Sequence, residues 1–174
     1  MTELYACVII GEPGIGKSTL VEALTRGATY TEYTEPFAYR KYDCGVVELG
    51  KRREGFSGTD ALPMNVQPKV EQWLSDELPE LLLFEGDRLS NGKFFTVLRH
   101  IGYTLHLYQL SGASMAAERR AARGSNQDRR WIEGRRTKAL NLAVDFDAKQ
   151  IHARLPPNVL AGMLNDPVAK AFRA

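Results

Sequence analysis

The sequence predicts an α/β fold, a three-layer sandwich in which helices cover both faces of a mainly parallel sheet. Three observations carry this prediction. The apolar run of residues 4–10 has the length of a buried strand, and a glycine-rich turn and a helical pattern follow it directly. A second apolar run, residues 81–84, also ends in polar turn residues. Strand-like and helix-like segments alternate along most of the chain, as they do in folds with a central parallel sheet.

The turn after the first apolar run has the spacing of a phosphate-binding P-loop. Residues 11–18 read Gly-Glu-Pro-Gly-Ile-Gly-Lys-Ser, which matches G-x-x-x-x-G-K-[ST] between a strand and a helix. Glycines let the backbone curl until several N–H groups point at one anion, and the helix N-terminus adds its positive dipole end. Lys17 is expected to reach the β- and γ-phosphates of a nucleoside triphosphate, and Ser18 to hold Mg²⁺. The predicted nucleotide-binding residues are Gly11, Gly14, Ile15, Gly16, Lys17, Ser18 and Thr19.

Length and composition limit the classes of protein to which the chain can belong. The 174 residues are 44% hydrophobic, which is consistent with one domain, 1–174, built around a proper core. The run 4–10 is too short to cross a bilayer and leads straight into the P-loop, so we expect neither a membrane span nor a signal peptide. The two cysteines, Cys7 and Cys44, do not make a disulfide framework, which fits a reducing, cytoplasmic setting.

The segment between the two apolar runs predicts short strands and a substrate-holding loop. Residues 37–42 and 46–50 read as strands, and residues 28–36 as a loop. Phe56 could stack on a base, and Asp60 could accept a hydrogen bond or a proton from a substrate. The alternative for Asp60 is a helix cap, and we weigh the two equally. Aromatic residues that could stack on a base, or simply pack at a sheet edge, are Tyr30, Tyr33, Phe37, Tyr39 and Tyr42.

Charged residues follow the second apolar run. In an open α/β sheet, the carboxyl ends of the parallel strands lie on the ligand-binding side. Glu85 and Asp87 therefore compete for two roles: orienting Mg²⁺, and removing the proton from an attacking hydroxyl. Alternation along a strand predicts that both face the phosphates. Arg88 is a candidate for binding the acceptor.

The remaining elements complete the alternating pattern. Helices are predicted over 68–78 and 93–101, and a strand over 103–110. The tail, 145–174, is expected to pack as a last strand or helix.

Positive charge is concentrated in residues 118–138. This segment carries a net charge of +5 and the rest of the chain −3. Its pattern predicts two helices around a Gly-Ser-Asn-Gln loop, which suits a lid that closes over a nucleoside triphosphate, because arginines stabilise the charge of a transferring phosphoryl group. The alternatives are a solvated helix face and a nucleic-acid-binding patch. The lid candidates are Arg119, Arg123, Arg130 and Arg135, with Arg119 expected at the nucleotide and Arg135 at the acceptor.

These motifs together resemble the nucleoside and nucleotide kinase group of P-loop enzymes. The Asp87-Arg88 pair after the second buried strand is similar to the pair that thymidylate kinase-like members have there. The resemblance implies a sheet of about five parallel strands and a mobile lid. It also implies ATP and Mg²⁺ as cofactors, and an acceptor bound between the lid and residues 37–75.

Within this group the chain also resembles the small kinases of phages that hypermodify thymine, through its short length, residues 56–60 and residues 131–138. That resemblance implies an ATP-dependent kinase acting on 5-hydroxymethyluracil in DNA, in the host cytoplasm. The alternatives are a free nucleoside monophosphate kinase such as thymidylate kinase, an NTP-hydrolysing switch, and a nucleic-acid-binding module. The sequence does not fix the oligomeric state.

Overall fold

The computed structural model describes residues 2–52 and 57–174 of the chain. In this part of the chain one twisted sheet has the strand order β2-β3-β4-β5-β1-β6-β7. The strands are β1 Leu4–Ile10, β2 Tyr30–Tyr33, β3 Tyr39–Tyr42, β4 Val46–Leu49, β5 Leu81–Glu85, β6 Tyr103–Ser111 and β7 Lys149–His152. The helices are α1 Lys17–Leu24, α2 Gln67–Glu77, α3 Gly92–Ile101, α4 Ala113–Ala122, α5 Arg129–Asp145, α6 Pro157–Met163 and α7 Pro167–Ala171.

The five strands β4, β5, β1, β6 and β7 are parallel and agree with the predicted sheet. The P-loop strand β1 lies at the centre, with Ile9 opposite Glu85 on β5 and Tyr108 on β6. The carboxyl ends of β1 and β5 therefore lie side by side, and this neighbourhood brings the two sequence motifs together.

Side chains alternate along the central strands and fill one core on each face of the sheet. Ala6, Val8 and Ile10 pack with residues of α2, α3 and α5, whereas Cys7 and Ile9 pack with residues of α1, α4, α6 and α7. The predicted three-layer arrangement is thereby confirmed. No helix in the described part of the chain is both long and apolar enough to cross a membrane.

The sequence interpretation was wrong for residues 30–33. They were predicted to be loop, but they form β2, which pairs antiparallel with β3 and extends the sheet beyond β4. All four residues of β2 are exposed, so the segment has no inward apolar alternation that would reveal a strand. The rings of Tyr33 and Tyr39 stack 4.7 Å apart, and Tyr39 contacts Trp73 of α2. These tyrosines pack at the sheet edge.

The tail contributes more structure than predicted. Residues 149–152 add the last parallel strand beside β6, and α6 and α7 then cover the sheet on the α1 side. Asp166 caps α7 by accepting hydrogen bonds from the N–H groups of Val168 and Ala169, and it also accepts one from the Tyr108 hydroxyl. The tail is thus an integral part of the core.

The backbone is closely packed where residues 50 and 51 meet residue 58. Lys51 and Gly58 form a bridge, in which the N–H of Gly58 lies 2.9 Å from the carbonyl oxygen of Lys51. Gly50 has a φ of +99°, and a Cβ at this position would lie 2.1 Å from the carbonyl oxygen of Gly58. Only glycine permits this approach.

We predict that Gly50→Ala destabilises the protein far more than Gly45→Ala. Both residues have positive φ, at +99° and +90°, but a Cβ at Gly45 would meet nothing within 4 Å. The cost at Gly45 should be about 1 kcal/mol from backbone strain, and the cost at Gly50 about 2 kcal/mol more because the Cβ collides with backbone. Urea unfolding of the two variants measures the difference. Equal losses of unfolding free energy in the two variants would show that the backbone around Gly50 shifts to make room for the Cβ at no cost.

Candidate active site

The P-loop connects β1 to α1 and curls around the Lys17 side chain. Lys17 Nζ donates hydrogen bonds to the carbonyl oxygens of Gly11, at 2.9 Å, and Glu12, at 3.0 Å. Gly14 and Gly16 have φ values of +83° and +110°, in the left-handed region that glycine adopts without strain. Burial lowers the pKa of Lys17, and nearby carboxylates, Glu85 first among them, oppose that shift. The ammonium group is thus fixed within the loop in an acidic setting.

Ser18, the next residue, connects the P-loop to the end of β5. Its hydroxyl donates a 2.8 Å hydrogen bond to Oε1 of Glu85. Burial raises the pKa of Glu85 to about 7, even though the Lys17 charge and the Ser18 hydrogen bond oppose that shift. Glu85 is therefore a carboxyl group that changes ionisation near neutral pH.

Ser18 and Glu85 fit the magnesium ion that the sequence resemblance implies. Mg²⁺ prefers oxygen ligands, and it is commonly held by one or two protein groups together with the phosphates of the nucleotide. The Ser18 hydroxyl and the Glu85 carboxylate supply such oxygens beside the P-loop. When bound, the ion would neutralise charge on the phosphates.

Glycines allow the neighbouring loops to approach Glu85. A Cβ on Gly58 would lie 2.1 Å from the Glu85 carboxylate, and one on Gly86 would lie 2.8 Å from Oγ1 of Thr59. Three segments therefore meet at this carboxylate: the P-loop, the loop before residue 60, and the turn after β5.

Asp60 fixes the turn after β5. Its Oδ1 accepts hydrogen bonds from the backbone N–H groups of Asp87, at 2.8 Å, and Arg88, at 3.1 Å. These N–H groups belong to a distant turn and not to the start of a helix, and the predicted role of Asp60 towards a substrate stays a prediction. The residue also lines the cavity described below.

Asp87, two residues after Glu85, is bound by a different element. Its carboxylate forms ion pairs with Arg135 and, at 2.9 Å, with Lys138, both on α5. Glu85 instead contacts Ser18 at the start of α1, a helix that packs on the face of the sheet opposite to α5. Asp87 lines the same cavity as Lys17 and Ser18, and both carboxylates act on the Lys17 charge, so the expectation that both face the phosphates stays a prediction.

The arginines of α4 lie against the P-loop. Arg119 donates a short hydrogen bond to the carbonyl oxygen of Ile15, and Arg120 contacts Glu12 and Pro13. Arg123 lies one turn further along and donates to the carbonyl oxygen of Arg119 at 3.4 Å. The two helices of residues 118–138 thus attach differently: α4 contacts the P-loop, and α5 contacts Asp87.

A cavity of about 740 Å³ lies between the P-loop, the turn after β5 and the two basic helices. Twelve of the residues singled out from the sequence line it: Gly11, Gly14, Gly16, Lys17, Ser18, Thr19, Asp60, Asp87, Arg88, Arg119, Arg123 and Arg135. Their individual roles stay predictions.

Three predicted site residues in the described part of the chain do not line the cavity. Ile15 is buried in the core, and its carbonyl oxygen accepts a hydrogen bond from Arg119. Glu85 is also buried, and its carboxylate accepts a hydrogen bond from the Ser18 hydroxyl. Arg130 is exposed on α5. Phe56 lies outside the described residues.

Sequence reasoning missed several residues at the site. Arg120 and Trp131 line the cavity, and the guanidinium of Arg135 lies 5.2 Å from the centre of the Trp131 ring. Helical spacing could have found Arg120, since it is next to Arg119. Lys138 could not be found, because its partner Asp87 is 51 residues away in the chain. Polar residues from two loops, Ser57, Ser125 and Gln127, complete the described wall.

A parallel sheet whose central strand leads into a P-loop, faced by arginine-bearing helices, defines a P-loop kinase fold. The model of the family P-loop Nucleotide Kinase3 matches residues 3–168, and the chain belongs to this family. Membership supports a kinase activity in general. No curated protein matches the chain.

Two of the solved structures that are similar to this chain are kinases. One is a gluconokinase from Sinorhizobium meliloti 1021, with 17% identity, a TM-score of 0.47, and coverage of 99% of this chain and 92% of that chain. The other is an unliganded sugar kinase from Janibacter sp. HTCC2649, with 14% identity, a TM-score of 0.48, and coverage of 98% and 93%. Neither similarity bears on the substrate of this chain.

We predict that Glu85 makes the stability of the protein depend on pH between about 4.5 and 7. A glutamate ionises near 4.5 in the unfolded chain and near 7 here, so the folded state binds more protons within this window. The contribution of Glu85 is full below pH 4.5 and is lost as the pH rises through 7. The unfolding free energy of the wild type, relative to Glu85→Gln, should therefore fall from pH 5 to pH 8. If urea unfolding showed the same pH dependence of the unfolding free energy in the wild type and in Glu85→Gln, the raised pKa of Glu85 would be contradicted.

Proposed function

We propose that this protein transfers the γ-phosphoryl group of ATP to a hydroxyl of a nucleotide-type acceptor. The observation that carries the proposal is the cavity itself. It is lined by the P-loop with Lys17 and Ser18, and also by Asp60, Arg88 and residues of α5. Phosphoryl transfer needs a donor and an acceptor held in line, and a cavity lined by both sets of residues suits both.

The donor end is supported by the P-loop geometry. The loop amides and the N-terminus of α1 favour an anion, and Lys17 is fixed within the same loop. Arg119 and Arg123 line the cavity from α4, so they can stabilise negative charge on the transferring group.

The acceptor end combines positive charge with an aromatic ring. Arg88 and Arg135 line the cavity, and Trp131, which is 39% exposed, lies next to Arg135. An acceptor with both a flat base and a phosphate would match this combination, because indole stacks on bases and guanidinium groups bind phosphate.

Asp60 is our candidate for the group that removes the proton from the hydroxyl. Both oxygens of Asp87 are occupied by cations of α5, and Glu85 lies beneath Ser18. The carboxylate of Asp60 lines the cavity and is held rigidly through its Oδ1. A proton acceptor needs such fixed proximity to the reacting hydroxyl.

A polymeric acceptor, 5-hydroxymethyluracil within DNA, is the narrower proposal that the sequence resemblance favours. The exposed arginines of α5 outside the cavity, Arg130 and Arg136, support it, because they extend positive charge beyond a single nucleotide. A free pyrimidine nucleotide, as in thymidylate kinases, is the competing proposal.

The deciding experiment is transfer of γ-³²P from ATP with Mg²⁺. The acceptors are free nucleosides, free nucleoside monophosphates, DNA containing thymine, and DNA containing 5-hydroxymethyluracil. Label on the modified DNA alone would support the polymer proposal, and label on a free nucleotide would replace it. Slow release of phosphate with no labelled acceptor would overturn the kinase proposal in favour of an NTP-hydrolysing module.

We predict that Lys17→Ala removes nearly all transfer, because the loop loses its only ammonium group next to the phosphates. Lys69→Ala, at an exposed position of α2 outside the cavity, is the matched control and should leave transfer unchanged. Initial rates with ³²P-labelled ATP measure both. An active Lys17→Ala variant would contradict the P-loop assignment.

We predict that Asp60→Asn lowers kcat by about 10²–10⁴-fold, the usual cost of losing a general base. Asparagine keeps an oxygen that accepts the hydrogen bonds from the N–H groups of Asp87 and Arg88, so the turn should persist. Asp87→Asn is the comparison: it should act mainly on KM, because it loosens α5. If Asp87→Asn instead lowered kcat and Asp60→Asn acted mainly on KM, the proton-accepting role would belong to Asp87.

A further inference from the structure

Glu12, the second residue of the P-loop, lies on the side of the loop that faces away from the cavity. Its side chain is only 6% exposed, and it does not contribute to the described cavity wall, although Gly11 and Pro13 on either side do. A buried carboxylate needs a partner, since the loss of its hydration is costly. Its partner is Arg120 of α4, with 3.2 Å between Oε2 of Glu12 and Nη1 of Arg120.

Arg120 joins α4 to two points of the P-loop. The same Nη1 donates to the carbonyl oxygen of Pro13, and the arginine side chain is only 14% exposed. The guanidinium therefore satisfies a side chain and a backbone group of consecutive P-loop residues, and it is largely shielded from water. Shielded pairs of this kind depend strongly on having both members present.

The contact between α4 and the P-loop is close enough to require glycine in the loop. A Cβ on Gly14 would lie 2.8 Å from Cγ of Arg120, 3.1 Å from Nη2 of Arg123 and 3.2 Å from the carbonyl oxygen of Ala116. Ala116 itself is fully buried. The helix is thus packed directly on the loop that is expected to hold the phosphates.

Arg119 of α4 and Arg123, the residue that directly follows the helix, both line the cavity. They are one helical turn apart, and Arg119 also binds the carbonyl oxygen of Ile15. Their guanidinium groups lie beside the P-loop only while α4 stays against it. The Glu12–Arg120 ion pair is the side-chain contact in the described structure that joins α4 to an acidic group of the loop.

We propose that Glu12 is a positioning residue for nucleotide binding. Its ion pair with Arg120 holds α4 on the P-loop and so keeps Arg119 and Arg123 next to the triphosphate. The inference rests on the proposed binding of ATP. Without the Glu12 charge, Arg120 would be left partly buried with no ionic partner, and it would turn out to solvent and carry α4 away from the loop.

The test is a double-mutant cycle on binding of a non-hydrolysable ATP analogue with Mg²⁺, measured by calorimetry. Glu12→Gln removes the charge and keeps the shape, and Arg120→Met removes the guanidinium and keeps the apolar stem. Glu12→Gln alone should raise Kd about tenfold, within the range seen for coupled contacting residues. In the Arg120→Met background, the same change should alter Kd by less than about twofold, because the pair no longer exists.

A second measurement separates positioning from loss of stability. Trp131 lies on α5 at the cavity, so in a Trp73→Phe background its emission reports the two helices around the nucleotide. The emission change on binding should be smaller in Glu12→Gln, under conditions where urea unfolding shows every variant fully folded. Glu22→Gln, at an exposed position of α1, is the matched control and should behave as the wild type.

Three outcomes would overturn the inference. An unchanged Kd in Glu12→Gln would show that α4 is held without the pair, while the proposed function would stand. Full additivity in the cycle would show that Glu12 acts independently of Arg120. Absence of binding by the wild type would overturn the inference together with the proposed ATP dependence.

Discussion

The hydrogen bond between Ser18 and Glu85 is the contact around which the candidate site is arranged. It joins the P-loop at the end of β1 to the end of β5, and these neighbouring strands bring two motifs 67 residues apart within 2.8 Å. The third contributor is the loop that contains Gly58, whose lack of a Cβ leaves space for the carboxylate. A buried acidic group tolerates such a position because an ammonium group, a hydroxyl and the end of a helix surround it.

The parts of the molecule that follow from local pattern could be predicted from the sequence. The P-loop and the run 81–84 are local signals, because glycine spacing and continuous apolar residues report directly on backbone conformation and burial. The five parallel strands follow from the same logic together with the family resemblance. The strand β2 could not be predicted, since none of its residues is buried and it is held in place by pairing with β3.

The ion-pair partners of the charged side chains could not be predicted from the sequence, for a different reason. Residues 118–138 were expected to act as one basic lid, yet the structure divides them between two acidic partners, Glu12 and Asp87. Which arginine contacts which carboxylate depends on how two helices cross the sheet, and charge alone does not encode that. Asp87 shows the limit for a single residue: it pairs with Arg135 and Lys138 of α5, and local spacing does not reveal those partners.

The hairpin β2–β3 changes what the sheet offers to other molecules. All four residues of β4 are buried, so if it were the outermost strand, its apolar side chains and unpaired N–H groups would invite pairing with a second chain. The hairpin transfers that edge to a strand of only four residues, all exposed, with Glu32 bound to Arg40. Short, charged edges resist such pairing. The two additional strands therefore disfavour pairing with a second chain at this edge, and they leave the P-loop end of the sheet untouched.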